Sequence, residues 1–458
     1  MSEPQVPGNK PGGRARDGLR SEGESNRSVL REAWQESHLS EESLALLEQD
    51  ERYFLRQSLS TPCLDVVSGC RGSYLETVDG KRILDFHGNS VHQVGFGHPK
   101  VVEAVRRQMQ SLPFCPRRYT NRPAIALAKK LSEIAPGDLD KVLFAPGGTA
   151  AVGMALKLAR MATGRFKTVS MWDAFHGASL DAISVGGEAL FRRDIGPLLP
   201  GGEHVPPPDP RQCPFDCGNV CNLKCADYLE YVLEKEGDVG AVVAETVRST
   251  PYIPPSDYWM RVRSACDRHG ALLILDEIPN CLGRTGKMFA CEHYGVVPDM
   301  LVIGKGLGGG IFPIAALIAR GGLDIAPDFA LGHYTHEKNP VGCAAALATI
   351  EVVESEDLAA RASELGAHAL SRLADLAARH TVIADVRGLG LLMGVEVEAA
   401  GGDSALLAER ILYAALEQGL SFKISMGNIL TLVPPLTITL EELDSAIDIL
   451  DAAITVAA

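Results

Sequence analysis

The chain has 458 residues, of which 46% are hydrophobic and 22% charged, and its formal net charge at neutral pH is −14. These values are ordinary for a globular protein and exclude global disorder, collagen and coiled coil. The acidic balance disfavours binding to nucleic acids or to anionic membranes. Apolar runs such as residues 311–319 are too short to span a bilayer. No apolar signal segment is visible at the N-terminus, so we expect a cytoplasmic protein with reduced cysteines.

The first hundred residues change character twice. Residues 1–28 are rich in Gly, Pro and Ser and lack aromatic side chains, which predicts a disordered tail. A helical pattern follows as far as residue 57. Residues 74–78 and 82–86 flank an Asp-Gly turn and predict a β-hairpin. Pro99 then opens an amphipathic helix.

Strands and helices alternate from there on. Short apolar strands are predicted at 142–144, 168–171, 241–244, 272–275 and 300–303, with helices between them. This alternation predicts an α/β fold with a doubly wound, mostly parallel sheet. Near the C-terminus, long Ala/Leu helices surround two strands, 391–397 and 429–433, which predicts a smaller α+β domain.

We therefore expect a division into a disordered tail, an N-terminal segment belonging to the small domain, a large domain and a C-terminal small domain, at 1–28, 29–95, 96–345 and 346–458. The stretch 186–225 is Pro-rich and has no hydrophobic period. A loop of this length inside a domain is usually functional or locally stapled.

Lys305 follows an apolar strand and lies in a run of glycines, GKGLGGG. A partly desolvated lysine at the carboxyl end of a parallel strand can act as an amine nucleophile. The glycines match a dinucleotide-binding pattern, but the apolar run that follows predicts a strand where that motif needs a helix. A phosphate P-loop needs Ser or Thr after the lysine, and Gly306 stands there. An exposed lysine in a flexible loop is the alternative.

Three other positions follow strands in the same way. Asp276 ends the strand 272–275, where α/β sheets bind ligands, although it could simply cap the next turn. Gly148 and Thr149 precede a helix whose first N–H groups could bind an anion, although Thr149 could be a plain N-cap. Phe175 could stack on a flat ligand or belong to the core. A lysine, an aspartate, an anion-binding helix start and an aromatic ring are together what a pyridoxal 5′-phosphate site requires.

At this point the sequence resembles a known family. The strings LDEI at 275–278, GRTG at 283–286 and the lysine at 305 are similar to the class III pyridoxal-phosphate aminotransferases of fold type I, over most of the chain from about residue 74 to 451. The resemblance implies a homodimer with the active site at the subunit interface. It implies these roles: covalent cofactor attachment by Lys305, pairing with the pyridine nitrogen by Asp276, contact with the two ring faces by Phe175 and Ile278, and phosphate binding by Gly148, Thr149 and, from the partner subunit, Thr335.

The departures from the family pattern bear on the substrate. Pro279 stands where many members carry a Gln that binds the cofactor's ring hydroxyl. The usual Glu-Pro-Val-Gln reads Glu245 to Arg248. Thr431 stands where carboxylate-binding members often have Arg, which predicts a substrate without an α-carboxylate.

A narrower resemblance comes from three strings, HGNSVHQ at 87–93, PFCPRRYTN at 113–121 and HYTHEKNP at 333–340. They are similar to the bacterial (R)-1-hydroxy-2-aminoethylphosphonate ammonia-lyases, a phosphonate-catabolism group within class III that eliminates ammonia. The resemblance implies a lyase that forms phosphonoacetaldehyde, with an ω-amine or amino acid:2-oxo-acid aminotransferase as the alternative. Because a phosphonate dianion favours arginine, the candidate substrate residues are Arg117, Arg118 and Arg248, together with Glu245.

Cysteines recur every four residues at 213, 217, 221 and 225. Four thiols so close could bind zinc, although the spacing is not a standard zinc pattern. Free thiols that pack the loop are the alternative, and we expect no metal in the catalytic site.

Overall fold

The computed structural model describes residues 21, 23, 26–217 and 221–458. Most of the predicted tail, residues 1–20, 22, 24 and 25, lies outside the described residues. In the described part the α-helices are, in chain order, α1 (Val29–His38), α2 (Glu41–Tyr53), α3 (Pro99–Ser111), α4 (Arg122–Ile134), α5 (Gly148–Thr163), α6 (Leu180–Val185), α7 (Ala189–Arg192), α8 (Lys224–Glu236), α9 (Tyr258–His269), α10 (Pro340–Ser355), α11 (Leu358–Arg379), α12 (Ser404–Glu417) and α13 (Leu440–Ala457).

The strands of the described residues form three sheets. They are β1 (Val67–Arg71), β2 (Tyr74–Thr77), β3 (Arg82–Asp85), β4 (Leu139–Ala145), β5 (Lys167–Met171), β6 (Gly202–Val205), β7 (Val239–Glu245), β8 (Leu272–Asp276), β9 (Met300–Ile303), β10 (Ala315–Arg320), β11 (Ile383–Leu389), β12 (Leu392–Val397), β13 (Leu420–Ser421), β14 (Lys423–Ser425) and β15 (Ile429–Leu432).

The central sheet has seven strands in the order β4-β10-β9-β8-β7-β5-β6. Only β10 runs against its neighbours, so the carboxyl ends of the other six strands meet at one edge. Along β7, Ala241 and Val243 enter one apolar core, and Val242 and Ala244 enter another. Burial on both faces explains why this strand is a continuous apolar run. The predicted α/β arrangement is confirmed.

The predicted apolar run 311–319 becomes a strand only from Ala315, because residues 311–314 form the connection that leads into β10. The hairpin predicted at 74–86 is present as β2 and β3, in antiparallel pairing. It belongs to a small sheet in the order β1-β2-β3-β13, which combines three strands from the first hundred residues with β13 from the C-terminal region. The second small sheet has the order β11-β12-β15-β14, two strands more than the sequence pattern predicts. The proposed domain boundaries stay a prediction.

The stretch 186–225 is not a plain loop. It contains the short helix α7, and β6 pairs in parallel with β5 to complete the edge of the central sheet. The cysteines at 213, 217, 221 and 225 do not lie on one face of a helix. Only Cys225 belongs to α8, which begins at Lys224, and the other three cysteines precede that helix. No helix of the described residues is long and apolar enough to cross a membrane.

Candidate active site

A cleft opens at the edge where the parallel strands end. Ligands of α/β proteins bind at this edge, because helix starts and strand ends converge there. The cleft brings together seven of the residues predicted from sequence with four neighbours. Its lining is Gly148, Thr149, Phe175, His176, Gly177, Glu245, Ser249, Asp276, Ile278, Pro279 and Lys305.

Lys305 lies in the turn directly after β9, and its side chain reaches the cleft half-buried. Its backbone has φ +45°, a left-handed conformation that is costly for a residue with a Cβ. The next residue, Gly306, packs tightly, because a Cβ there would overlap the side-chain amide of the buried Gln93. Close packing therefore fixes the position of the lysine, which is not an exposed residue of a flexible loop.

Asp276 ends β8 and is 2% exposed. Its Oδ2 lies 2.8 Å from Nδ1 of His176, and its Oδ1 accepts a hydrogen bond from the backbone N–H of Ile278 at 3.1 Å. Nε2 of His176 lies 3.5 Å from the hydroxyl of Ser170. The imidazole therefore orients the carboxylate within the cleft. Sequence reasoning missed His176, and the available signal was its place beside Phe175 directly after β5.

Gly148 and Thr149 are the first residues of α5. The N-cap is Gly147, which contributes no side-chain hydrogen bond, so the alternative that Thr149 is a plain N-cap is wrong. The first N–H groups of a helix have no acceptor within it and attract anions. A Cβ at Gly148 would lie 2.5 Å from Cδ1 of Ile278. The glycine therefore keeps open a cradle between the helix start and the wall of the cleft.

Glu245 ends β7 and lines the cleft, while Arg248 lies behind it and is 6% exposed. Nε of Arg248 lies 3.6 Å from Oε1 of Glu245, and a terminal nitrogen lies 3.6 Å from Oε2 of the buried Glu188. Burial works to lower the pKa of Arg248, but the negative charges around it, Glu245 first, outweigh this and raise that pKa. Arg248 is thus a buried guanidinium flanked by two carboxylates at 3.6 Å, and its Nη2 makes no hydrogen bond within the described residues.

The remaining predicted residues do not line the cleft. Arg117, Arg118 and Thr335 are exposed on the chain. Their contact with substrate or with the cofactor of a partner stays a prediction. Thr431 is buried in β15, and its hydroxyl donates to Oγ of Ser425 at 2.9 Å. The position therefore holds a small neutral side chain.

The four cysteines of the 213–225 segment are not arranged to bind a zinc ion in the described residues. The sulfurs of Cys213 and Cys217 lie 3.5 Å apart, and Cys217 also contacts Asn222. Cys225 is buried, and burial raises the pKa of its thiol to about 12. No group of three His, Cys, Asp or Glu side chains among the described residues is arranged to hold a metal ion.

Comparison with known proteins identifies the family. Residues 57–454 match the model of the class III aminotransferases. The chain belongs to the class III aminotransferase family. It is 48% identical to the (R)-1-hydroxy-2-aminoethylphosphonate ammonia-lyase of Vibrio splendidus, with 95% of each chain covered. It is 36% identical to the leucine/methionine racemase of Thermococcus litoralis, over 89% of this chain and 95% of that one.

Solved structures of class III enzymes share the fold. An amine transaminase from an uncultivated Pseudomonas species, solved with pyridoxal 5′-phosphate bound, superposes with a TM-score of 0.82 at 30% identity, over 89% of this chain and 99% of that one. The ornithine aminotransferase of Toxoplasma gondii has a TM-score of 0.82 at 26% identity, over 94% and 99%. The expected fold-type I architecture is confirmed.

Pyridoxal 5′-phosphate is the cofactor of this class III enzyme, and the residues present fit it. The open cradle at Gly148 matches a phosphate, and the buried carboxylate of Asp276 matches a protonated ring nitrogen. Lys305 lies in the same cleft with its amine available for covalent attachment, and Phe175 and Ile278 line the walls.

Proposed function

We propose that this chain is an ammonia-lyase that converts (R)-1-hydroxy-2-aminoethylphosphonate into phosphonoacetaldehyde and ammonia in phosphonate catabolism. The observation that carries the proposal is the 48% identity over 95% of both chains with an enzyme of that name. In this reaction the carbon that bears nitrogen becomes the aldehyde and the carbon that bears the hydroxyl becomes a methylene. The oxidation of one carbon is therefore matched by the reduction of the other, and the reaction needs neither a 2-oxo acid nor an external oxidant.

Each cleft residue has a task in this proposal. When bound, pyridoxal 5′-phosphate supplies the electron sink for charge that develops beside the amine. Asp276 holds a positive charge on the ring nitrogen, and His176 holds Asp276. The amine of Lys305 removes a proton from the carbon that bears nitrogen and delivers it to the hydroxyl, which leaves as water. The released enamine then takes up one water and hydrolyses to phosphonoacetaldehyde and ammonia, so that water is neither consumed nor produced overall. The N–H groups of Gly148 and Thr149 bind the cofactor's phosphate.

Two positions outside the cleft lining support a substrate without an α-carboxylate. Thr431 is neutral and satisfied by Ser425, and Arg248 is balanced by Glu245 and Glu188. Within the described part of one chain, the cleft therefore offers no guanidinium for an amino-acid carboxylate.

An ω-amine:2-oxo-acid aminotransferase is the second candidate. It is favoured by the likeness to the amine transaminase with a TM-score of 0.82. Both reactions begin with the same proton abstraction, so the cleft chemistry allows either. A scaffold without catalysis is disfavoured, because Lys305, Asp276 and the phosphate cradle are all retained in one cleft.

The cellular setting completes the proposal. We propose a homodimer with shared active sites, in which Thr335 reaches the cofactor phosphate of the partner, and a cytoplasmic location. The family supports the first point, and the acidic composition without a membrane-crossing helix in the described residues is compatible with the second.

Incubation of the purified enzyme with the hydroxy-aminoethylphosphonate and no 2-oxo acid tests the function. We expect stoichiometric ammonia and phosphonoacetaldehyde over many turnovers. A matched incubation with β-alanine and pyruvate should form little alanine. If ammonia stays at background while amines are transferred to pyruvate, the chain is an aminotransferase and the lyase proposal is wrong.

A further inference from the structure

An exposed group of cationic and titratable side chains lies outside the cleft. This group, called the basic platform, consists of Arg117, Arg118, His333, His336 and Lys338, all exposed. The guanidinium of Arg117 lies against the imidazole of His333, with one terminal nitrogen 2.7 Å from Nε2. The ring of Phe114 meets that of His336 edge-on, with centroids 5.5 Å apart. The platform therefore joins two segments that are distant in sequence.

The two segments of the platform are fixed to one another. The side-chain amide of Asn121 donates to the backbone carbonyl of Lys338 at 3.0 Å, and its oxygen caps α4. Asn339 caps α10 in the same way. Cys115 is buried between the exposed residues of its segment. Because both segments are anchored on buried groups, the platform is built as a fixed surface and not as a loose loop.

The charge of the platform is unusual for this chain. The protein carries a net charge of −14, yet no ion pair joins a platform residue to a carboxylate in the ranges the structure describes. The cleft shows the opposite balance. Among the described residues its lining holds no lysine or arginine besides Lys305, and the buried Arg248 behind it is flanked by the carboxylates of Glu245 and Glu188. A phosphonate dianion needs charge-assisted hydrogen bonds, and guanidinium supplies them best.

We infer that Arg117 binds the phosphonate group of the substrate in the active site of a second copy of this chain. The inference rests on the proposed lyase function and names the residue that selects its substrate. The part of the chain that the structure describes gives the cleft no lysine or arginine besides Lys305, whereas the platform has a surplus of cations and does not line the cleft of its own chain. A second copy supplies the match in charge. The contact with His333 holds the Arg117 guanidinium beside the segment that carries Thr335.

Hybrid dimers distinguish action across the interface from action within one chain. Arg117→Ala and Lys305→Ala chains with different affinity tags are co-expressed, and the hybrid is isolated by two successive tag purifications. In the hybrid, the Arg117→Ala chain keeps Lys305 and receives Arg117 from its partner. We expect each parental dimer to lose activity, the Arg117→Ala dimer by roughly tenfold to a hundredfold in kcat/KM. The hybrid should regain about half of the wild-type activity, because one of its two sites is complete.

Arg410→Ala is the matched control, since it removes an exposed guanidinium on α12 that belongs neither to the cleft nor to the platform. We expect it to keep wild-type kcat/KM within a factor of about three. Arg117→Lys, which keeps charge but not the planar fork, should be intermediate. Bound-cofactor absorbance and size-exclusion elution should match the wild type for all arginine variants, which separates lost substrate binding from lost assembly.

The outcomes have separate meanings. A hybrid as inactive as the Arg117→Ala dimer would show that Arg117 acts in its own chain, and would overturn the inference while wild-type ammonia release leaves the proposed function standing. Equal losses in Arg117→Ala and Arg410→Ala, or full activity of Arg117→Ala, would also overturn it. If the wild type releases no ammonia from the phosphonate, both proposals fall.

Discussion

His176 and Asp276 form a fully buried pair, with Nδ1 of the imidazole 2.8 Å from Oδ2 of the carboxylate. The histidine comes from the segment after β5 and the aspartate from the end of β8, so the pair exists only because the sheet brings these strand ends together. An imidazole that donates from Nδ1 fixes the rotamer of its partner. His176 is thus a positioning residue for the carboxylate that meets the cofactor ring.

His176→Ala is expected to lower kcat by about tenfold while changing KM little, because Asp276 loses its orientation but substrate contacts remain. The visible spectrum of the bound cofactor and its dependence on pH should also change, which a purely structural role would not produce. His176→Asn, which can still donate to the carboxylate, should recover part of the rate. Ser170→Ala, which loses only the 3.5 Å contact with His176, is the control and should stay near wild type.

Asp276→Asn is expected to retain pyridoxal 5′-phosphate but to lose activity by at least about a hundredfold, because an uncharged ring nitrogen is a poor electron sink. Cofactor content from absorbance and turnover from ammonia release give the two readouts. Wild-type turnover in this variant would show that the carboxylate does not charge the ring.

Lys305→Ala is expected to abolish turnover and the visible band of the covalently attached cofactor, because no other amine of the described residues lines the cleft. The spectrum of the purified variant and its ammonia release check this. The exposed Lys129→Ala serves as a control and should match the wild type. Residual activity in Lys305→Ala above a few per cent of the wild-type rate would refute the assignment.

Substitution of two adjacent glycines, Gly147 and Gly148, tests the phosphate cradle. Gly148→Ala places a Cβ 2.5 Å from Ile278 and should raise the Kd for pyridoxal 5′-phosphate about tenfold or more. Gly147→Ala adds the same methyl where no atom lies within 4 Å, at an extended φ of −173°, and should bind cofactor normally. Titration of the apoenzyme by absorbance measures both. Similar Kd values for the two variants would argue against a cradle at Gly148.

His92 gives a prediction for stability against pH. Burial lowers the pKa of its imidazole to about 3, below its usual value near 6.5, so the folded protein keeps it neutral. Its contribution to stability is present above pH 6.5 and is lost as the pH falls toward 3, at up to about 1.4 kcal/mol per pH unit. Burial raises the pKa of the adjacent Asp85 carboxyl to about 6, which has the opposite effect. The contribution of Asp85 to stability is present below about pH 4 and is lost as the pH rises through 6.

As the pH is lowered from 6.5 to 4, the wild type should therefore lose more free energy of unfolding than His92→Gln does, so the variant becomes more stable relative to the wild type. Urea unfolding at four pH values gives this difference. Asp85→Asn should shift the difference the opposite way over pH 4 to 6. A difference between His92→Gln and wild type that does not vary with pH would contradict a neutral buried histidine.

Local patterns of residue types were enough to predict several elements of this fold and two residues of its cleft. The Asp-Gly turn predicted the hairpin of β2 and β3, and the apolar runs predicted β7, β8 and β9, because burial on both faces leaves a continuous apolar pattern. Lys305 and Asp276 could be found because each directly follows such a run, and carboxyl ends of parallel strands meet at one edge.

Contacts between side chains of distant segments could be found only in the folded chain. It placed His176 on Asp276, matched Arg248 with Glu188 and Glu245, and left Arg117 exposed beside His333. These contacts depend on strand order and on loop paths, which the local pattern of residue types does not encode. Three equally plausible arginines in the sequence therefore became one internal counterion and two surface residues, because burial and neighbouring charge are properties of the folded chain.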